Sequence, residues 1–401
     1  MQTVKICALL LSIMVFTGCG IASIAKEDIM VPKFSFTQKP LPDLESFRFA
    51  RNLKAGWNLG NTFDASNVYW AKDDLAYEQA WVGVLTNPRI FDTLKQAGFG
   101  AVRIPVSWHN HVSGDDFVIS PAWMARVKEI ADAALDRGLY VIVNTHHDIA
   151  EEFIYPDSKH LESSKRYLGA VWHQLSAAFH DYDERLIMES MNEPRLAGTK
   201  IEWWLDPNDP ASEDAVRSIN ALNQQFVDIV RASGGGNATR FLLVPGYAAS
   251  VQGCLHKAFE MPRDSAGAVD RLLLSVHAYT PYDFALQSGK EAGSRDVFSA
   301  ENPFDVNEIA AFMDSLYQRS MSLRIPIVIG EFGCRDKSGN LQSRVDFTAV
   351  YTALAQARGF SCFWWDNHSF TGDGELFGLL DRQTFTFVYP QIVDALISNA
   401  K

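Results

Sequence analysis

Cysteine is scarce in this chain of 401 residues, which contains only five. Two of them, Cys7 and Cys19, fall near the amino terminus, and the other three, Cys254, Cys334 and Cys362, lie in unrelated segments. Cysteines placed in this way do not make a disulfide framework. We therefore expect the last three to be small, buried, apolar residues.

Positive charge is also in short supply. The chain has 36 Lys and Arg against 48 Asp and Glu, a formal net charge of -12. This balance argues against a nucleic-acid partner, which favours a basic surface, and it fits an enzyme acting on a neutral polymer. Aromatic residues are plentiful, with ten Trp, twelve Tyr and 26 Phe. Most of them must belong to the core, and exposed ones are suited to stacking on sugar rings.

Long hydrophobic runs are missing except near the amino terminus. There, residues 6–16 are apolar, follow Lys5, and are too few to span a membrane as a mature helix. Residues 16–19, Phe-Thr-Gly-Cys, resemble a bacterial lipoprotein cleavage box, although Phe stands where Leu is usual. We predict a lipoprotein-type signal peptide over 1–18, Cys19 as lipid anchor, and an exported cell-envelope lipoprotein. Simple secretion with cleavage nearby is the alternative.

Two further parts of the chain differ in pattern. Residues 19–45 mix charges, Pro and isolated apolar residues without a period, and this is typical of a linker. Residues 46–401 alternate strand and helix signals and contain no internal repeat, which predicts one catalytic domain with a parallel sheet. Contact with a membrane is expected only through the anchor, and a monomer is expected.

Eight short apolar runs end in polar or aromatic residues and are predicted strands. They cover residues 53–60, 101–107, 140–146, 185–193, 240–246, 271–279, 325–333 and 361–367. Helix-period stretches lie between them at 121–137, 165–182, 214–233, 307–322, 347–358 and 389–400, while the fifth unit offers only a short helix over 255–264. This order predicts an α/β fold, a single (β/α)₈ TIM barrel with long loops at the carboxyl ends of the strands. A doubly wound sheet is the alternative.

Two glutamates, Glu193 and Glu331, lie at the carboxyl ends of predicted strands, where barrel enzymes keep their chemistry. Such a pair suggests glycoside cleavage, and a retaining mechanism requires carboxyl groups about 5–5.5 Å apart. Arg103 and Tyr279 can keep Glu331 ionised as the nucleophile. Asn192, a neutral neighbour, lets Glu193 stay protonated as acid and then base, and it suits a hydrogen bond to a sugar 2-hydroxyl.

A metal-dependent hydrolase is the competing interpretation of the same strand ends. A metal site could be assembled from His109, His111, His146, His147, His277 and Asp366. The His-Asn-His segment follows its strand at a distance, however, and the chain has no His-Glu-x-x-His helix. We therefore predict no metal and no cofactor.

The motifs at the strand ends resemble those of glycoside hydrolase family 5, and the match extends over nearly the whole chain after the signal segment. The matching segments are Gly56-Trp-Asn-Leu-Gly-Asn61, Val102-Arg-Ile-Pro-Val-Ser-Trp108, Val143-Asn-Thr-His-His-Asp148, Met191-Asn-Glu-Pro194, Val276-His-Ala-Tyr-Thr-Pro281 and Ile329-Gly-Glu-Phe-Gly333. Additional segments, including Trp-Trp-Asp-Asn367, are most similar to subfamily 4, a group of endo-β-1,4-glucanases and xyloglucanases.

The resemblance implies a retaining mechanism with Glu193 as acid/base and Glu331 as nucleophile. It also implies that the sugar beside the cleaved bond is bound by Arg103, His146, Asn192, His277, Tyr279 and Trp365. Asn61, His147 and His111 are further candidates for substrate contact. Adjacent residues alternate faces on a strand, so only one of His146 and His147 is expected to point into the site.

The predicted function is hydrolysis of β-1,4-glucosidic bonds within cellulose-like, mixed-linkage or xyloglucan polymers. The same mechanism acting on mannan or xylan is one alternative, and a carbohydrate-binding barrel lipoprotein without catalysis is another. The first long loop, residues 64–82, has no family motif. Together with Trp203 and Trp204, it is expected to shape the substrate groove.

Overall fold

A computed structural model describes residues 29–264, 268–337 and 339–400. The predicted signal peptide, Cys7 and the candidate anchor Cys19 lie outside these residues. Among the helices that are described, none combines the length and apolar character needed to cross a membrane. The cysteines Cys254, Cys334 and Cys362 are free and buried, as the sequence predicts.

Eight parallel strands form a closed barrel in which each strand pairs with its neighbours in chain order and the last pairs with the first. Their bounds are β1 Ala55–Leu59, β2 Ala101–Ile104, β3 Tyr140–Asn144, β4 Leu186–Glu189, β5 Leu242–Pro245, β6 Leu272–His277, β7 Ile327–Phe332 and β8 Ser361–Asp366. Closure excludes the doubly wound alternative, which has an open sheet. The predicted barrel and its eight strands are confirmed.

One helix follows each strand before the chain enters the next. These are α1 Arg89–Ala97, α2 Pro121–Asp136, α3 Leu161–Ala178, α4 Pro210–Ala232, α5 Val251–Leu255, α6 Pro303–Leu323, α7 Leu341–Gln356 and α8 Pro390–Asn399. Four of them begin with proline, whose fixed φ suits the first helical turn. An additional short helix, Tyr282–Ala285, and two small hairpins, Val112–Ser113 with Val118–Ile119 and Leu380–Asp381 with Thr386–Phe387, lie in the loops.

The fifth helix differs from the prediction of a helix over 255–264. The helix α5 ends at Leu255, and residues 256–264 contain no helix. The Ser250 hydroxyl accepts a hydrogen bond from the Gly253 N–H and sets the start of the helix earlier than expected. Pro262, which cannot donate a backbone hydrogen bond, lies in the segment that the prediction extended through.

The barrel interior contains two layers of different chemistry. The apolar layer comprises Ala101, Ile142, Ile187, Leu243, Leu273, Val328 and Phe363, and the helix Glu45–Asn52 covers it at the amino-terminal end of the barrel with Phe49, Ala50 and Leu53. Two residues further along β2, β3, β4 and β6 lie Arg103, Asn144, Glu189 and Ser275, and Asn58 of β1 is in register with Arg103. We define these five residues as the polar layer. Because strand side chains alternate in direction, both layers point inward. The carboxyl end of the barrel is therefore polar inside.

The part of the predicted linker that the structure describes lies against the barrel. Residues 29–44 form no helix or strand, but apolar side chains among them, including Phe34 and Phe36, pack on the core. The Phe34 N–H donates to Asn399 Oδ1 at 2.9 Å, and the Lys39 N–H donates to the Ala357 carbonyl at 2.8 Å. The isolated apolar residues of this segment are thus contact points, and these residues are not a free spacer.

Candidate active site

Arg103 is the centre of the polar layer and is fully buried. Its Nε donates to Glu189 Oε2 at 2.7 Å, and its Nη1 donates to Glu331 Oε1 at 2.8 Å and to Asn58 Oδ1 at 3.0 Å. Its Nη2 donates to Asn192 Oδ1 at 2.7 Å. The charges of Glu189 and Glu331 outweigh the effect of burial and raise the pKa of Arg103. The guanidinium therefore fixes four side chains that come from three strands, β1, β4 and β7, with Asn192 just beyond the end of β4.

Glu189 is a third carboxylate in the barrel and lies beneath the predicted pair. It is fully buried, and it accepts hydrogen bonds from Arg103, from Asn144 Nδ2 at 3.0 Å and from the Ser275 hydroxyl at 2.6 Å. Sequence reasoning missed it, although a glutamate inside an apolar strand is itself a signal, since a buried carboxylate requires donors or a cation. It serves as the counter-ion that holds Arg103 in place.

Glu193 and Glu331 face each other across the end of the barrel with His277 between them. His277 Nδ1 lies 2.8 Å from Glu193 Oε1 and 3.6 Å from Glu331 Oε1. One carboxylate oxygen of each glutamate and a ring nitrogen of His277 all lie within 4.8 Å of one another. This spacing matches the short separation of a retaining pair rather than the roughly 6.5–9.5 Å of an inverting pair.

The two glutamates have different hydrogen-bond partners. Glu331 accepts from Arg103 Nη1 at 2.8 Å and from the Tyr279 hydroxyl at 3.0 Å, so both of its oxygens have a donor. Glu193 is paired with His277 and is more open to the cleft. Glu331 is thus held rigidly, while Glu193 is free to approach a ligand.

The pKa values of the two glutamates shift in opposite directions. Burial raises the pKa of Glu193, but the hydrogen bond and charge of His277 together with the charge of Arg195 hold it below its usual value. Burial raises the pKa of Glu331, and the opposing charges of His277 and Arg103 do not cancel this effect. Burial lowers the pKa of His277, yet the charges of Glu331 and Glu193 raise it above its usual value. The hydrogen bond between His277 and Glu193 therefore favours the charged form of each group.

These directions depend on a partner, His277, that the sequence interpretation did not include. The sequence interpretation relied on neutral Asn192 to keep Glu193 protonated and on Arg103 to keep Glu331 ionised. In the structure, Asn192 accepts from Arg103, and Arg103 divides its charge between Glu331 and Glu189. The sequence did not indicate that His277 is the hydrogen-bond partner of Glu193. Which side chains meet inside a barrel depends on how its sheet closes.

A cleft of about 610 Å³ opens above these residues. Nine of the predicted site residues line it, namely Asn61, His146, His147, Asn192, Glu193, His277, Tyr279, Glu331 and Trp365, and Arg103 lies below its floor. The rings of His146 and Trp365 stack with their centroids 5.7 Å apart and their planes 5° apart. Burial lowers the pKa of His146 well below its usual value, so the ring is neutral and offers a flat, uncharged surface.

His147 and Asn61 occupy one edge of the cleft. Burial, with the charge of Arg195, lowers the pKa of His147 to about 4. Asn61 has a φ of 59°, a left-handed conformation that asparagine tolerates, and its N–H donates to Asp64 Oδ2 at 3.0 Å. Both His146 and His147 line the cleft, so the expectation that only one of them points into it is wrong. They lie beyond the end of β3, where strict alternation no longer applies.

His111 does not line the cleft, and its prediction as a substrate-binding residue is wrong. It is buried against the Trp123 ring, with centroids 3.8 Å apart, and its Nδ1 lies 3.1 Å from Asp74 Oδ1. Burial lowers its pKa to about 4. His111 instead holds the first long loop against helix α2.

The first long loop is tied down at a second point. Arg126 of helix α2 donates to both carboxylate oxygens of Glu78 at 2.9 Å, and Glu78 Oε1 accepts the Thr86 N–H at 2.8 Å. The loop carries Trp81 into the cleft, where its ring centroid is 5.8 Å from that of His147. The expectation that this loop shapes the groove is therefore confirmed at Trp81.

Three further aromatic residues, Trp203, Trp204 and Tyr282, also line the cleft. The Trp204 and Tyr282 rings pack edge to face with centroids 6.3 Å apart, and the Arg195 guanidinium lies 4.0 Å from the Trp203 ring centroid. Trp203 and Trp204 are 47% and 66% exposed. Large exposed aromatic rings around a polar centre suit an extended ligand with flat apolar faces.

The residues of the competing metal-site interpretation are not brought together as one set. His109 is bound to Asp148, and Asp366 accepts from the indole N–H of Trp57 at 2.9 Å, while His111 lies outside the cleft. Among the described residues, two groups of three could contribute metal ligands within 4.8 Å: Asp64, His146 and His147, and Glu193, His277 and Glu331. In the first group, both Asp64 oxygens already accept backbone N–H groups, from Asn61 and Thr62.

Comparison with known proteins agrees with this geometry. The family model described as cellulase (glycosyl hydrolase family 5) matches residues 63–371. Endoglucanase B of Ruminococcus albus is 38% identical over 377 residues, which is 94% of this chain and 85% of that protein.

Solved structures are similar as well. A glycoside hydrolase family 5 lichenase from Caldicellulosiruptor sp. F32, in complex with cellotetraose, has a TM-score of 0.91 and 49% identity over 93% of this chain and 100% of that chain. A subfamily 4 broad specificity endoglucanase from Ruminococcus champanellensis, with bound cellotriose, has a TM-score of 0.80 and 35% identity over 90% of this chain and 100% of that one. The chain therefore belongs to the cellulase family, glycosyl hydrolase family 5.

Proposed function

We propose that the chain is a retaining, endo-acting β-glucanase in which Glu331 is the nucleophile and Glu193 is the acid/base. The observation that carries this assignment is the pair of glutamates with oxygens within 4.8 Å, one fixed by Arg103 and Tyr279 and the other linked to His277. The relatives, which are named as endoglucanases and a lichenase, support β-glucan as the substrate. The open cleft with aromatic walls supports attack within a chain.

In the first step, the Glu331 carboxylate forms a bond to the anomeric carbon as the glycosidic C–O bond breaks. Glu193 transfers its proton to the departing oxygen and becomes a carboxylate, which is hydrogen-bonded to His277 Nδ1 at 2.8 Å. Arg103 and Tyr279 stabilise the ionised form of Glu331 before attack. In the second step, Glu193 removes a proton from water, which attacks the anomeric carbon and releases Glu331.

The substrate-binding roles follow from position. Asn192, whose Oδ1 accepts from Arg103, can present its amide N–H groups to a sugar hydroxyl. His146 and Trp365 form a stacked surface beside the two glutamates, on which a sugar ring can rest. We therefore assign His146, Asn192, His277, Tyr279 and Trp365 to the sugar beside the cleaved bond, with Arg103 as their support from below.

The test of the two roles uses Glu331→Ala and Glu193→Ala with sodium azide. We expect Glu331→Ala to lower kcat by at least about 10⁴-fold, the order seen when a nucleophile is removed. Azide attack in this variant yields a glycosyl azide of inverted configuration, whereas Glu193→Ala with a 2,4-dinitrophenyl glycoside yields one of retained configuration. If Glu331→Ala gave the retained azide and Glu193→Ala the inverted one, the roles of the two glutamates would be reversed. Unchanged release of reducing sugar by Glu331→Ala would exclude Glu331 as the nucleophile.

The polysaccharide is identified by a substrate panel. Purified enzyme is incubated with carboxymethylcellulose, barley β-glucan, xyloglucan, mannan and xylan, and product lengths are measured. We expect oligosaccharides of several lengths from the β-glucans, since an open cleft binds chains along their length. Activity confined to mannan or xylan would replace the substrate while keeping the mechanism, and binding without cleavage of any polymer would support the non-catalytic alternative.

We also propose that the chain is exported, with residues 1–18 as signal peptide and Cys19 as the lipid-bearing residue. The support is the apolar segment followed by Phe-Thr-Gly-Cys. In bacterial cells expressing the full chain, we expect labelled palmitate to be incorporated by the wild type and lost in Cys19→Ser. Secreted, unlabelled wild-type protein would favour simple secretion instead.

A further inference from the structure

Arg195 links the acid/base glutamate to an aromatic wall of the cleft. Its Nη1 donates to the Glu193 carbonyl oxygen at 3.0 Å, and its Nε donates to Glu202 Oε1 at 3.2 Å. The same guanidinium lies 4.0 Å from the centroid of the Trp203 ring. The Arg195 side chain is only 15% exposed, so three groups converge on one largely buried cation.

Glu202 fixes this arrangement from the other side. Its Oε1 accepts from Arg195, and its Oε2 accepts the Gly198 N–H at 2.9 Å. The chain from Glu193 to Trp203 is therefore closed into a loop by side-chain bonds. A planar guanidinium presents its edge to carboxylate and carbonyl oxygens and its face to an aromatic ring, a combination that lysine does not offer.

The contacts also place Trp203 relative to the reaction. In the proposed mechanism, Glu193 gives its proton to the oxygen of the departing sugar, so the leaving group lies on the Glu193 side. Because one guanidinium contacts both the Glu193 backbone and the Trp203 ring, that ring lies on the same side.

We propose that Arg195 is a positioning residue that holds the acid/base Glu193 and the Trp203 ring at a fixed distance, so that a leaving sugar stacked on Trp203 presents its oxygen to the acid. The proposal deepens the proposed function and rests on it. Arg195, which is not among the predicted site residues, would thus help to position the leaving group. Small displacements of a catalytic group are costly, since about 1 Å can lower a rate by about 10²-fold.

Electrostatics supports the same role. The charge of Arg195 contributes to the low pKa of Glu193, after burial and His277, and to the low pKa of His147. Loss of this charge raises the pKa of Glu193. Glu193 then keeps its proton to higher pH, so the alkaline limb of the profile of kcat/KM against pH moves to higher pH.

The experiment compares two substrates in Arg195→Gln, Arg195→Lys and the wild type. Cellotetraose requires proton donation and has leaving sugars to stack, whereas 2,4-dinitrophenyl β-cellobioside has a leaving group that departs without a proton. For Arg195→Gln we expect kcat/KM on cellotetraose to fall about 10–100-fold, because part of the contribution of general acid catalysis is lost. On the aryl substrate, kcat/KM should change by less than about threefold. The matched control is Arg217→Gln, an exposed arginine that pairs with Glu213 on helix α4.

The conservative variant separates charge from geometry. Arg195→Lys keeps the charge, so we expect its alkaline limb to match the wild type while its cellotetraose activity remains low. This variant also decides the matter if Arg195→Gln folds poorly, as judged by its melting temperature. Equal losses on both substrates, or wild-type cellotetraose activity in Arg195→Lys, would overturn the proposal. Wild-type enzyme without activity on either substrate would instead overturn the proposed function.

Discussion

The two interior layers of the barrel are only two residues apart on the four strands that contribute to both, yet they differ completely in composition. The apolar layer has side chains such as Ile142 and Leu273, closed off by Phe49 below. The polar layer directly above it buries Arg103 and Glu189 without exposure to solvent. Replacing buried charges by apolar residues often stabilises a protein. The polar layer is therefore explained by what lies above it, the orientation of Glu331 and Asn192, rather than by stability.

This comparison predicts its largest effect at Arg103. Arg103→Met leaves Glu189 buried without its cation, and we expect a loss of about 3–5 kcal/mol in the free energy of unfolding. We also expect kcat/KM to fall by about 10³-fold, because Glu331 and Asn192 lose their shared donor. Urea denaturation and polysaccharide assays measure the two effects.

The matched control is Arg240→Met. Arg240 is also fully buried, but it donates to Asn237 and to backbone carbonyls, including that of Phe179, outside the cleft. We expect it to lose stability and to keep its activity when assayed well below its melting temperature. Full activity in Arg103→Met would remove the functional explanation of the polar layer.

The apolar layer makes the opposite prediction. Ile142→Ala removes a fully buried side chain and should cost about 2–5 kcal/mol of stability, while kcat/KM at low temperature stays within about twofold of the wild type. Ile142→Val, which deletes one methylene, should cost about 0.5–1.5 kcal/mol. A large loss of kcat with little loss of stability would show that the two layers do not divide their roles in this way.

Asp64 gives a pH-dependent effect at the rim above the polar layer. Burial raises its pKa to about 7, even though it accepts hydrogen bonds from the N–H groups of Thr62 and Asn61. The folded state binds the Asp64 proton more tightly than the unfolded state does. Protonated Asp64 therefore contributes its full stabilisation below the unfolded pKa, and this stabilisation is lost as pH rises towards 7.

The stability advantage of the wild type over Asp64→Asn should therefore shrink as pH rises. The expected change is about 3 kcal/mol between pH 4 and pH 7, because the pKa of Asp64 rises from 3.8 to about 7 on folding. Urea denaturation at each pH measures it, and the exposed Asp116→Asn serves as the control. A constant difference across this range would mean that Asp64 is ionised throughout.

The smallest effect is expected at Ser275. Its hydroxyl donates to Glu189 Oε1 at 2.6 Å, and Ser275→Ala should cost about 2 kcal/mol, the order for a hydrogen bond to a charged group. Ser315→Ala, which removes an exposed hydroxyl bonded within its own helix, should cost less than about 0.5 kcal/mol. Equal costs would indicate that Glu189 does not need its third donor.

The sequence predicts the strands and the rim of the barrel better than its interior. Apolar runs that end in polar residues are local signals, so they locate Glu193 and Glu331 at strand ends without any knowledge of packing. Which residues meet inside depends on how the sheet closes. The register that brings Glu189 beside Arg103, and the approach of His277 to Glu193, could not be derived from spacing alone.

The errors have a similar origin. His111 lies in a His-x-His segment that suggests a ligand, but the side chain is used to pack against Trp123. The predicted position of helix α5 is too late in the chain, because its N-cap, Ser250, is one of many serines that could cap a helix. In residues 29–44, the isolated apolar residues follow no helix or strand period, so the sequence does not show that they pack on the barrel surface.

The anchoring of the first long loop has a consequence for substrate selection. Glu78 is held by Arg126 and His111 by Trp123, so the wall that carries Trp81 is set when the protein folds. The entropy of ordering this wall is lost on folding and does not oppose binding. A groove of this kind accepts chains whose shape already fits it. A β-glucan whose preferred shape fits the groove should therefore bind without any cost of ordering this wall.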